Sequence, residues 1–169
     1  NDFSIPKNIV QSELHIMYPS HLSNNKQKIC VPETWGLDEI VLYEIKILTA
    51  IHTKVEGSVS LNNIKVLVED FAGVDSTVLQ WNNKWWLFCT DKKNKNADVA
   101  LHIFYADELL GNWKAHKANP VKKDKSSARP GGTPFIYDGK LLRPSQDSSK
   151  VYGGRIVLNE VIELNENKF

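Results

Sequence analysis

An apolar run, a two-residue turn of Asn, Asp or Gly, a lysine and a second apolar run recur three times along this chain. The copies cover residues 18–31, 75–89 and 132–144, turning at Asn24-Asn25, Asn82-Asn83 and Asp138-Gly139. The turns start at 24, 82 and 138, so they are spaced 58 and then 56 residues apart. Residues of this type accept positive φ and close tight β-hairpins. A fixed period of this length marks stacked or radially arranged units.

Each hairpin is followed by a polar loop and a third apolar run, at 40–47, 99–105 and 155–162. These runs are rich in β-branched and aromatic residues and too short for good helices. Weaker fourth strands are expected near 64–69 and 113–117, and the helix-like stretch 107–111 is no more than a turn. Four antiparallel strands per unit describe a β-propeller blade. The fold class expected is therefore all-β, a propeller with about three blades here, at roughly 10–70, 71–125 and 126–169. Propellers close with about four to eight blades, so three read as a portion of a ring. Its exposed edges would favour self-association or a companion domain.

Composition narrows the function. A net charge of +1 over 169 residues gives no pull toward nucleic acid or membrane. The excess lysines of 92–125, 8 Lys/Arg against 4 Asp/Glu, are interleaved with Gly, Pro, Ser and Asn and read as solvated loops. Aromatics do not alternate with lysines as a nucleic-acid platform requires. No stretch is long enough to cross a bilayer, no signal peptide is visible, and the fifteen asparagines include no Asn-X-Ser/Thr acceptor. Cys30 and Cys89 occupy equivalent second-strand places and read as small buried apolar residues. A reducing, cytoplasmic setting is expected. No Cys/His metal spacing and no Gly-rich phosphate loop is present, so neither metal nor cofactor is expected.

In an up-and-down blade, the start of the first strand and the loop joining strands two and three share one face of the disc. That geometry gathers Tyr18, Asp75 and Arg129 with Glu33, Trp35, Gln146 and Asp147, and His15 lies three residues before Tyr18. Asp75 interrupts an apolar approach, where a carboxylate is costly unless paired or used. Glu33 follows Pro32, which ends its strand. Arg143 stands where the other repeats have Ile29 and Leu87. It suits an ion pair with Asp147 or Asp75, or a fork gripping hydroxyls, carboxylate or phosphate. Adjacent Trp85 and Trp86 must point to opposite faces of their strand and read as core. Trp35 lies in a Gly-containing rim loop, where it can stack on a sugar.

Several of these residues also carry a resemblance. They include His15…Tyr18-Pro19, Val31-Pro-Glu-Thr34, Val74-Asp75, Trp85-Trp-Leu-Phe88, Gly111-Asn-Trp113…His116…Asn119-Pro-Val121, Arg129-Pro-Gly-Gly132, Leu142-Arg-Pro144…Gln146-Asp147 and Tyr152-Gly153. Together they resemble the propeller domain at the N-terminus of plant glucosamine inositolphosphorylceramide transferases, also found beside formyltransferase-like domains in bacteria. The Gly-X-Trp…His…Asn-Pro-Val segment is similar to the outer blade of five-bladed furanosidase-type glycoside hydrolases. The resemblance implies a five-bladed propeller of which roughly the last three blades are present. It also implies that the blade whose starting Asp is one of the hydrolases' three acids is absent; Asp75 stands at a blade start, but Tyr18 occupies the corresponding place in the preceding blade. Ser145 and Ser148 depart from the family's usual Ala and Cys.

Three functions follow as expectations. The first is a carbohydrate-recognising module, for a glycan, nucleotide sugar or sugar phosphate, attached to a transferase. In it His15, Tyr18, Trp35, Arg129, Arg143, Gln146 and Tyr152 bind the ligand beside Asp75. The second is a glycosidase-like enzyme with Asp75 and Glu33 as paired carboxylates and Asp147 as a tuning third. The third is a scaffold whose propeller face binds a protein.

Overall fold

Asn82, Asn83, Asp138 and Gly139 all take positive φ, at 50°, 59°, 49° and 70°. That is the backbone a two-residue hairpin turn of the primed type requires. The computed structural model describes residues 20–24, 27–48, 58–93 and 97–169. His15, Tyr18 and the centre of the first turn lie outside them. The first hairpin pairs Asn24 with Gln27, so its two connecting residues fall one place later than the Asn24-Asn25 expected from the repeat.

Three antiparallel sheets follow in chain order. The first contains β1 (Ser20–Asn24), β2 (Gln27–Val31), β3 (Ile40–Leu48) and β4 (Ser58–Val68), hydrogen-bonded in that order. The second contains β5 (Gly73–Trp81), β6 (Lys84–Asp91), β7 (Ala100–Ala106) and β8 (Lys114–Ala115). A short β9 (Lys122–Lys123) also pairs with β7. The third contains β10 (Phe135–Tyr137), β11 (Lys140–Asp147) and β12 (Arg155–Glu160). These are blades of a propeller. Among the described residues there is no α-helix; the one helical turn is a 3-10 turn at Trp35–Leu37.

Blades are held together by side chains from facing sheets. Ile29, Val31, Ile40 and Leu42 of the first pack against Val78, Leu87, Cys89 and Phe104 of the second. Leu79, Trp86, Phe88, Leu101 and Ile103 of the second pack against Ala128 and Leu141 of the third segment. Trp85 and Trp86 serve these two layers separately, as adjacent strand residues must. Fully burying one side chain of this size contributes roughly 1.5–3 kcal/mol. Cys30 and Cys89 are free, buried and in different clusters.

The outer edge of the second blade differs from expectation. In place of one strand near 113–117 there are two short pieces with Asn119 between them. The Asn119 side chain takes over the missing rungs: its Oδ1 accepts the Ile103 N–H at 2.8 Å and its Nδ2 donates to the Ile103 carbonyl at 2.7 Å. A side-chain amide has the donor and acceptor of a peptide, so the ladder continues across the break. The fourth strand of the first blade is longer than expected, because residues 58–63 also pair along β3, extending it as an edge strand.

Candidate functional site

The blade starts and the loops between second and third strands meet at one mouth. β5 carries a bulge there: Val74 pairs with Thr90 and Thr77 with Phe88, so Asp75 and Ser76 together face Cys89. Asp75 takes φ of 50°, a left-handed conformation that Asp tolerates better than most residues. Bulges re-aim a side chain. Here the bulge turns a carboxylate inward at the start of the innermost strand.

Glu33 and Arg129 converge on Asp75. Glu33 Oε1 accepts the Asp75 N–H at 3.0 Å, which brings the two acidic residues side by side. Arg129 donates from Nε to Asp75 Oδ2, from Nη1 to Asp98 at 2.7 Å and from Nη2 to the Tyr152 hydroxyl at 3.2 Å. Its Cζ also lies 4.9 Å from the centre of the Tyr152 ring. Burial pushes the Glu33 carboxyl up from its ordinary value, and the neighbouring Asp75 charge adds to that. Burial also raises Asp75, although Arg129 pulls against it. The Arg129 guanidinium is held charged by Asp75 and Asp98 against its own desolvation.

Beside this cluster opens a cavity of about 500 Å³. Asp75 and Thr77 form one side, Pro130 to Thr133 another, and Gln146, Tyr152, Gly153, Arg155 and Ile156 the third. Gln146 is fixed by donating from Nε2 to the Pro130 carbonyl at 2.8 Å. The Tyr152 ring is 68% exposed although Arg129 holds one of its faces.

Asp147 does not join Glu33 and Asp75. Its Oδ1 accepts the N–H and hydroxyl of Ser149, and its Oδ2 accepts Arg155 Nε at 2.8 Å. The Ser149 bonds, with Arg155 helping, hold its carboxyl below the usual range. Arg143 is placed away from the cavity lining. It is buried at 1% exposure and donates to the Ser127 and Ala128 carbonyls, with no carboxylate partner among the described residues. Burial lowers it to about 10. Neither the expected ion pair nor the ligand-gripping fork forms, because main-chain carbonyls occupy the fork. Trp35 also lies outside the lining, and the ammonium of Lys92 sits 5.7 Å from its ring centre.

Two participants were not expected from the sequence. Asp98 lies in a loop with no local signal. Arg155 opens β12 directly opposite Asp147; the available clue was that all three arginines of the chain fall between 129 and 155. Among the described residues no group of His, Cys, Asp and Glu could hold a metal, and no helix is long and apolar enough to cross a membrane.

Comparison with known proteins agrees with this architecture. The chain is 35% identical over 161 residues to glucosamine inositolphosphorylceramide transferase 1 of Oryza sativa subsp. japonica, covering 92% of this chain and 20% of that protein. It is 31% identical over 159 residues to the Arabidopsis thaliana protein of the same name, with the same coverage. The chain therefore spans about a fifth of the curated relatives it matches. In structure it resembles an exo-beta-1,3-galactanase from Clostridium thermocellum, with a TM-score of 0.61 at 11% identity, covering 90% of this chain and 33% of the other. It also resembles RS223 beta-xylosidase, with a TM-score of 0.56 at 16% identity and coverage of 84% and 46%. These likenesses show the fold, part of a five-bladed type of propeller. The family described as "Glucosamine inositolphosphorylceramide transferase 1, N-terminal" matches residues 7–169, and the chain belongs to that family.

Proposed function

We propose that the cavity binds a carbohydrate and that this domain is a recognition module serving a sugar transferase. The observation that carries the reading is the Tyr152 ring. Arg129 fixes it from one face and through its hydroxyl, while the ring stays largely exposed at the cavity. A fixed aromatic face beside acceptors and donors suits a sugar, which has both an apolar C–H face and a rim of hydroxyls. Asp75 and Gln146 stand where they can meet those hydroxyls. Membership of a family named for glucosamine transfer supports a carbohydrate ligand as well.

A hydrolytic role for Asp75 and Glu33 has less support. Two carboxyls that act across a glycosidic bond stand about 5–5.5 Å or 6.5–9.5 Å apart, with the sugar between them. Here both carboxyls already hold protein partners: Glu33 accepts the Asp75 N–H at 3.0 Å, and Asp75 pairs with Arg129.

The test is a calorimetric titration with a panel of methyl glycosides, repeated on Tyr152→Ala. Loss of the stacking face is expected to weaken binding about five- to tenfold, as for an aromatic contact of roughly 1 kcal/mol. Tyr152 is exposed, so the fold should survive. No heat with any glycoside at tens of millimolar, or binding indifferent to Tyr152→Ala, overturns the reading.

A further inference from the structure

We propose that the cavity selects sugars bearing an anionic group and that Arg155 reads that group. This rests on the carbohydrate reading above and adds the chemical class of the ligand.

The three arginines differ in how their donors are committed. Every nitrogen of the Arg129 guanidinium already donates, to Asp75, Asp98 and Tyr152. Arg143 has spent both terminal nitrogens on main-chain carbonyls. Arg155 alone lines the cavity with an uncommitted edge. Only its Nε is engaged, by Asp147 Oδ2 at 2.8 Å. Its two terminal nitrogens have no acceptor among the described residues.

Anchoring through Nε gives this cation a direction. An exposed arginine ordinarily wanders, and ordering it on a ligand costs side-chain entropy. Here Asp147 is itself held by the Ser149 N–H at 2.9 Å and the Ser149 hydroxyl at 2.5 Å. Asp147 and Arg155 are also direct partners across the β11–β12 ladder. The Arg155 side chain is 74% exposed, and the Asp147 bond gives its guanidinium a preferred direction before a ligand arrives. Two parallel N–H groups on the free edge match a carboxylate or phosphate.

The remaining lining tolerates an anion. Asp75 is the one carboxylate among the lining residues, and it is paired directly with Arg129, a guanidinium it shares with Asp98. Glu33 behind it is biased by burial toward its neutral form. A cavity of about 500 Å³ has room for a sugar ring against Tyr152 with its charged substituent at Arg155. A uronate and a sugar phosphate present the same chemistry to that fork.

Calorimetry with four probes tests this: methyl glucuronide, glucose 6-phosphate, methyl glucoside and methyl glucosaminide. The glucuronide or the phosphate is expected to bind at least tenfold more tightly than the glucoside, and the tighter of the two identifies the group. Arg155→Gln should collapse that ratio to near one, and Arg155→Lys should restore only part of it, because it keeps the charge and loses the fork. A ratio near one in the wild type, a ratio that survives Arg155→Gln, or a preference for the cationic glucosaminide overturns the inference while leaving carbohydrate binding intact. If none of the four binds, including the neutral glucoside, the carbohydrate reading itself has failed.

Discussion

Arg129 and Asp75, separated by 54 residues of chain, form an ion pair in which each side chain is only 9% exposed. The pair joins the start of the third blade to the bulge at the start of the second. Asp98 and Tyr152 complete the coordination of the guanidinium, so one side chain ties three loops and the innermost strand together. The same contacts shape the cavity wall and fix its aromatic face.

Arg129→Met should therefore be among the more damaging single changes in the domain. It removes one partner of a buried pair and leaves Asp75 charged beside the raised carboxyl of Glu33. Breaking such a pair costs about 3–5 kcal/mol. The urea midpoint should fall accordingly, and Tyr152 should lose its fixed orientation, seen as a change in near-ultraviolet circular dichroism. A midpoint unchanged from the wild type would contradict the assigned role.

The Glu33–Asp75 contact makes stability depend on pH in a definite direction. Both carboxyls have values raised by burial, from 4.5 for Glu33 and 3.8 for Asp75. A raised acid contributes stability that is complete below its unfolded value and is lost as pH rises through its folded one. Asp124, pulled down to about 2 by the Ser127 and Ser126 hydroxyls, works oppositely and loses its contribution as pH falls below 3.8. Stability should therefore peak in mild acid and decline toward neutrality. Glu33→Gln should flatten the neutral limb, because an amide oxygen can still accept the Asp75 N–H and the amide carries no charge to bury. The gain is expected at neutral pH, where the wild-type carboxyl ionises against burial, and should vanish in mild acid. Chemical denaturation of both proteins across this range would reveal the difference, and parallel profiles would refute it.

Much of this site was legible because propeller geometry converts sequence position into place. Once the turns at 82 and 138 are recognised as hairpins, Glu33, Asp75 and Arg129 must share a face, and they do. Gln146 follows from the same rule, whereas Tyr152 came from the family resemblance rather than from position. Arg143 illustrates what position alone leaves undetermined. A cation in an apolar slot needs partners, but the sequence does not show that the Ser127 and Ala128 carbonyls supply them. Asp98 carried no signal and Arg155 only the clustering of the arginines between 129 and 155, since an arginine opening a strand and an aspartate in a loop are ordinary until a third group meets them. Trp35 looked free in sequence, yet Lys92 comes over its ring from a loop nearly sixty residues away.

Gly131 marks a close approach of two backbones beside the cavity. A Cβ there would lie 2.9 Å from the Ser145 carbonyl carbon and 3.2 Å from the Gln146 nitrogen. Neither is the flexible end of a side chain, so the Pro130–Ser145 bridge would have to open. Gly131→Ala should cost roughly 1–3 kcal/mol, as overpacking does. It should also weaken ligand binding, because Gly131 and Gln146 both line the cavity. Full retention of stability and binding would show that the two strands can separate freely.

Arg143 provides the control that separates fold from ligand. Its Nη1 reaches the Ala128 carbonyl at 3.2 Å, its Nη2 reaches that of Ser127, and its Nε has no partner. Arg143→Met would relieve the cost of burying a charge while leaving two carbonyls without this donor. Each unsatisfied carbonyl costs about 1–3 kcal/mol, so a net loss is expected, smaller than that for Arg129→Met. Sugar affinity, measured by the same calorimetric titration, should remain within about twofold of the wild type, because the side chain does not line the cavity. A variant that keeps its urea midpoint and loses the sugar would put Arg143 at the ligand after all.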